Sequence, residues 1–168
     1  MVEGKKHEGD SEEEEAENIF GRLKEIFGRN REPTASDNRS EAFERCRDNI
    51  LRIHRRVIVI SGEDREKGLE DAVISTATID GLCDRIVDCH DYFSKAAVAI
   101  DYIANFHPFV DGNKRTSLEV AIRLLRLGGY ELDDSQETYM FIRDVASGLY
   151  DREEVEVWLK HNSHLSSL

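Results

Sequence analysis

The run His107-Pro108-Phe109-Val110-Asp111-Gly112-Asn113-Lys114-Arg115-Thr116 sets an imidazole, a carboxylate, a glycine and two cations side by side. Such a set suits phosphate chemistry. One apolar pattern ends at Phe106 and another begins at Leu118, so the run reads as a loop entering a helix. The first amides of a helix have no intrahelical partner and stand at the positive end of its dipole, where they can hold an anion. Gly112 lets backbone approach a phosphate closely, while Asn113, Lys114 and Arg115 add donors, Arg115 as a planar fork. His107 is placed to take the proton of a hydroxyl nucleophile, because neutral imidazole has suitable basicity near neutral pH. Its duller role would be to cap the preceding helix. Asp111 can offer one oxygen to Mg²⁺, with phosphate oxygens and water completing the shell, or can pair with Lys114 or Arg115. Phe109 reads as a ring anchored in the core, Pro108 as a stiffener beside the base and Thr116 as support for the helix start.

Apolar spacing predicts the elements that must hold this loop. Tyr92 to Phe106 forms a helix whose Ala96, Ala97, Ala99 and Ala104 admit close neighbours. Leu118, Val120, Ala121, Ile122, Leu124, Leu125 and Leu127 leave Glu119, Arg123 and Arg126 as one narrow polar stripe, so the next helix must be nearly surrounded until Gly128-Gly129 ends it. A buried helical hairpin therefore supports the loop. Upstream, Phe43, Cys46, Ile50, Ile53, Val57 and Ile60 advance by threes and fours until Gly62, with Ser40 as cap and Arg31 to Asn38 as a linker. His54, beside that stripe, reads as a hydrogen-bonded packing histidine in preference to a catalytic one. Gly68 to Ile74 begins another helical turn. Ile74 to Ile79 is rich in β-branched residues and ends at Asp80-Gly81, which fits a short extended flap or hairpin, with an ordinary loop as the alternative. Downstream, Tyr139, Phe141, Ile142, Val145 and Ala146 make a helix closed by Gly148, and Asp151 with Glu154 makes a capping box ahead of Val155, Trp158 and Leu159. The fold expected is all-α, a bundle around a central buried hairpin with room for a short β flap.

With 168 residues, the chain can build one domain with a sizeable core plus appendages. Its net charge of -12 argues against a nucleic-acid partner, which would need a basic face. Much of that charge is local to residues 1–39, read as an acidic extension: Glu3, Glu8, Asp10, Glu12 to Glu15 and Glu17 precede Ile19, Phe20, Leu23, Ile26 and Phe27 at helical spacing. That short amphipathic helix would pack on the main domain or a twin subunit, or else cover the nucleotide site or bind a regulator. Residues 40–168 form the main domain. Cys46, Cys83 and Cys89 lack paired metal spacing, and no apolar signal segment or membrane-length run occurs, so a soluble cytoplasmic protein is expected. His161 and His164 have zinc-like spacing, but their polar surroundings offer no further ligands.

The central run resembles the Fic/Doc family, whose signature reads His-x-Phe-x-Asp/Glu-Gly-Asn-Gly/Lys-Arg, and every fixed position is matched. More loosely, the resemblance extends from Ser40 through Leu159 and includes Lys67-Gly68-Leu69-Glu70-Asp71-Ala72, similar to the segment ahead of the family's flap. It does not cover residues 1 to 35. The resemblance implies a Fic-type helical bundle and transfer from ATP, with Mg²⁺, to a Ser or Thr hydroxyl of a target protein. Fic enzymes usually transfer AMP; the Doc (death-on-curing) branch transfers the terminal phosphate and includes toxins held by antitoxins.

Lys114 stands where Fic enzymes carry a second glycine, as in Doc-like members, and Leu118 stands where many carry a further arginine. Both point to terminal phosphoryl transfer, with an antitoxin and a second copy of the chain as candidate partners. AMP transfer is the second reading, and a non-catalytic nucleotide-binding interaction module the third. By resemblance Ser75, Thr76, Ala77, Thr78 and Ile79 would form a flap that docks the target through β-addition. Thr76 to Gly81 also faintly resembles the family's inhibitory motif, with Asp80 in place of glutamate.

Overall fold

A computed structural model describes residues 35–61, 72–133 and 135–166. The helices belong to the compact unit Asn38–Leu168, except the first residues of α1, which fall in the unit Met1–Asp37. Among the described residues there are six α-helices and one small antiparallel sheet, so the architecture is all-α. In chain order they are α1 (Ala35–Ser61), α2 (Thr76–Asp88), α3 (Tyr92–Phe106), α4 (Asn113–Leu127), β1 (Tyr130–Leu132), α5 (Gln136–Val145), α6 (Arg152–His161) and β2 (Ser163–Leu165).

The α3–α4 hairpin lies between two apolar clusters. On one side Ala96, Ala97, Ile100, Leu118, Ala121 and Leu125 meet Phe141, Ile142 and Val145 of α5 and Val155 and Leu159 of α6. On the other, Val98, Ala99, Ile103 and Val120 meet Ile50 and Ile53 of α1 and Ile79, Leu82, Cys83 and Ile86 of α2. Alanine on α3 is what allows helices on both faces, since each larger side chain would push a neighbour away. The expected burial of α4 holds except at its end, where Leu127 is 73% exposed.

Capping explains the helix boundaries. The Asp91 carboxylate accepts from Phe93 and Ser94 N–H to start α3, and Asp151 with Glu154 forms the expected capping box of α6. α1 begins at Ala35, so Ala35 to Asn38 is helix and not linker, and Ser40 is internal and caps nothing. The acidic head, the 19–27 pattern, Gly62 and residues 67–71 lie outside the described residues.

The flap expected at 74–81 is corrected. Ser75 Oγ accepts from Thr78 N–H at 3.1 Å and starts α2, which continues through Asp80-Gly81. Ile79, Leu82, Cys83 and Ile86 supply a buried helical stripe that outweighs the β preference of the threonines and isoleucines. Thr78 and Ile79 N–H donate to Ser75 and Ser75 N–H donates to the Pro108 carbonyl, so this helical segment offers no strand to a target. β1 pairs with β2 in the register Tyr130↔Leu165, an element that the polar tail did not suggest.

Candidate active site

His107 sits at the C-terminal end of α3 with φ 45°, ψ 62°. This left-handed conformation ends helices but costs a non-glycine residue about 1–2 kcal/mol. The ring is exposed, and its Nδ1 lies 3.2 Å from the Asn105 carbonyl. A carbonyl only accepts, so Nδ1 is the donor in that contact, and in the neutral ring the lone pair is then on Nε2. The imidazole thus presents a basic nitrogen outward, as a general base must.

The residues after it are held by backbone pairing and by ring stacking. Pro108 carbonyl accepts from Ile74 N–H at 2.7 Å and Ser75 N–H at 3.2 Å, and Val110 N–H donates to the Ala72 carbonyl at 3.1 Å. Val73 and Phe109 form an antiparallel bridge, so the extended stretch before α2 pairs with the site loop itself. Phe109 is 0% exposed and stacks on His54, ring centroids 3.7 Å apart and 8° from parallel. His54 Nδ1 in turn lies 3.1 Å from Thr116 Oγ1 in the first turn of α4. The packing role expected of His54 and the anchoring roles of Phe109 and Thr116 are what these contacts describe.

Asn113 was expected to grip phosphate, but its side chain is buried and spent on the loop. Its Oδ1 accepts from Phe109 N–H at 3.0 Å, and its Nδ2 donates to the Phe109 carbonyl at 2.8 Å. Only its backbone amide remains a candidate anion donor. Asn113→Ala would orphan two buried backbone groups, each worth about 1–3 kcal/mol, so a clear fall in urea midpoint is expected. An unchanged midpoint would show that the clamp contributes nothing.

Gly112 begins α4 at φ 73°, and a Cβ there would lie 2.7 Å from Ile58 Cδ1. The left-handed turn calls for glycine, and a Cβ would also have to displace the end of the Ile58 side chain beneath it. No side chain caps α4, and its first intrahelical bond is Thr116 N–H to the Gly112 carbonyl at 2.8 Å. The amides of Asn113, Lys114 and Arg115 thus precede the helical ladder, where the dipole favours an anion.

Asp111 Oδ1 accepts from Gly112 N–H at 2.6 Å, while Oδ2 is 3.4 Å from the Arg115 guanidinium. Both partners are half-exposed, and such pairs contribute only about 0–1 kcal/mol. Arg115 can leave it for a phosphate at little cost, and Lys114 is exposed beside it. The loop therefore gathers an outward base, free helix amides, two cations and one carboxylate. Ser75 to Ile79, also expected here, contribute only Ser75 N–H.

The loop features missed by the sequence reading are the Asn105 carbonyl, which sets the tautomer of His107, and the Ala72–Ser75 pairing. A groove of about 610 Å³ runs along α1 and α4 past Arg56 and Arg123, and His107 is not among the residues that line it. Among the described residues no helix is long and apolar enough to cross a membrane. Residues 44–125, from α1 to the last turn of α4, match the Fic/DOC family. No curated protein matches the chain.

Proposed function

We propose, from the match of residues 44–125 to the Fic/DOC family, that this protein is a Fic-type transferase that modifies a hydroxyl of another protein. The observation that carries this reading is the exposed His107 ring, its Nδ1 at the Asn105 carbonyl, beside the uncapped N-terminus of α4. In the proposed reaction, Nε2 of His107 takes the proton of a target Ser or Thr hydroxyl. The freed oxygen attacks the γ-phosphorus of ATP, the bond from that phosphorus to the β–γ bridging oxygen breaks, and ADP leaves. Amides of residues 113–115 with Lys114 and Arg115 hold the phosphates, so catalysis rests on alignment and fixed charge.

Asp111 fits a cation that arrives with its substrate. Its carboxylate is half-exposed, with Oδ2 3.4 Å from the Arg115 guanidinium, and the described residues contain no group of three His, Cys, Asp or Glu able to hold a resident metal. Mg²⁺ commonly binds one or two carboxylates and completes its shell with substrate phosphate and water. Bound there it would offset the charge of the polyphosphate. Asp111→Ala should raise the Mg²⁺ concentration for half-maximal transfer by about tenfold, the equivalent of one lost charge-assisted contact. An unchanged Mg²⁺ dependence removes Asp111 from this role.

Lys114 favours transfer of the terminal phosphate over AMP, because a long cation fills the space that a second glycine would leave open. A Doc-like enzyme of this kind would be restrained by a small antitoxin. ATP labelled separately at the α- and γ-phosphates, incubated with the protein and a cell extract, tests the choice. Protein-bound γ label supports phosphoryl transfer, and α label supports AMP transfer. ATP binding with neither label transferred would contradict enzymatic activity.

A further inference from the structure

The three cysteines were set aside as lacking metal spacing, yet two of them meet in space. Cys46 on α1 and Cys83 on α2 both pack into the apolar cluster beneath the hairpin, and each thiol shifts the acidity of the other. Ion pairs fix the register of these antiparallel helices on either side. Arg39 binds Asp84 at 3.1 Å and Asp88 at 3.0 Å, and Arg47 binds Asp80 at 3.3 Å. These pairs set Cys46 and Cys83 on facing stretches of the two helices.

The two thiols differ in surroundings. Cys83 is 0% exposed, whereas Cys46 is half-buried and lines the groove of about 610 Å³. Arg52, Arg56, Lys95 and Arg123 line the same groove, making it electropositive. A partly exposed thiol in such surroundings is the kind that ionises and reacts. The neighbouring Cys83 thiol and the Lys95 ammonium favour the Cys46 thiolate, while the Cys46 thiol and burial push Cys83 up. Cys89 is also pushed up, by burial and the Asp91 carboxylate.

We infer that Cys46 is a peroxide-reactive thiol and Cys83 its resolving partner, so that oxidation ties α1 to α2. Cys46 sulfur attacks one oxygen of hydrogen peroxide, the O–O bond breaks, and hydroxide leaves, giving a sulfenic acid. Cys83 sulfur then attacks Cys46 sulfur, the S–O bond breaks, and water leaves with the Cys83 proton. Two thiols are oxidised by two electrons, and one peroxide is reduced to two waters. The helices so joined are those that frame the loop, through His54 on α1 and Ser75 at the start of α2.

The test treats the full chain with hydrogen peroxide, blocks remaining thiols and maps the peptides by mass. A single intramolecular Cys46–Cys83 link, with the mass lower by two hydrogens, is expected. In Cys83→Ser the link should vanish and Cys46 should instead be trapped by dimedone as sulfenic acid; Cys46→Ser should lose both products. Pairing through Cys89, disulfide-linked dimers, or no link at all would overturn the inference. In the unsubstituted protein, iodoacetamide should label Cys46 about tenfold faster than Cys89, because the thiolate is the reacting species. Equal rates would also overturn it.

Discussion

His107→Ala should lower label transfer from ATP by about 10²–10⁴-fold, the usual contribution of a positioned general base. The ring is exposed and hydrogen-bonds the Asn105 carbonyl at 3.2 Å, so little packing is lost. ATP affinity and unfolding midpoint should therefore stay near those of the parent. Removing a side chain at φ 45° also leaves an alanine in the left-handed region, where the same backbone strain persists. His107→Gly relieves that strain and separates the two effects: it should be as inactive as the alanine variant and at least as stable. Transfer at the parental rate in either variant would remove His107 as the base.

Phe109→Ala should cost about 3–5 kcal/mol of stability, the range for emptying a buried aromatic site. Domains typically hold only about 5–15 kcal/mol in total, so the loss would be visible as a large fall in urea midpoint. The ring fills a fully buried position against His54, beside Ile53, Ile79 and Ile103 of the same cluster. Its backbone is also the one that Asn113 clamps, so the cavity opens directly beneath the site. Phe109→Leu keeps most of the volume and should recover more than half of the loss. A cost below about 1 kcal/mol for the alanine variant would mean that the loop is not held by this ring.

The hairpin and the loop were the most legible parts of the chain. Tyr92 to Phe106 coincides with α3, because alanines and β-branched residues bounded by Asp91 and Pro108 leave little choice of period. The Fic/Doc resemblance rested on residues that lie within the segment matching that family. Local propensity failed where tertiary packing decides. Thr76 to Ile79 is strand-like taken alone, yet Ile79, Leu82, Cys83 and Ile86 continue a helical stripe past Gly81, and Ser75 caps it. Asn113 looked like a ligand because an amide beside two cations invites that reading. Its burial and its double bond to Phe109 depend on a loop conformation that spacing does not encode. The same holds for Gly112, whose missing Cβ faces Ile58 from a helix more than fifty residues upstream.

The central claim, that the start of α4 seats ATP beside the basic nitrogen of His107, can be read residue by residue. Titration of the ¹⁵N-labelled protein with a Mg²⁺-bound, non-hydrolysable ATP analogue should shift the amides of Gly112 to Arg115 and the Nε2 resonance of His107, with its Nδ1 still protonated. Shifts confined to the basic groove around Arg52, Arg56 and Arg123, with the 112–115 amides and His107 unmoved, would contradict it.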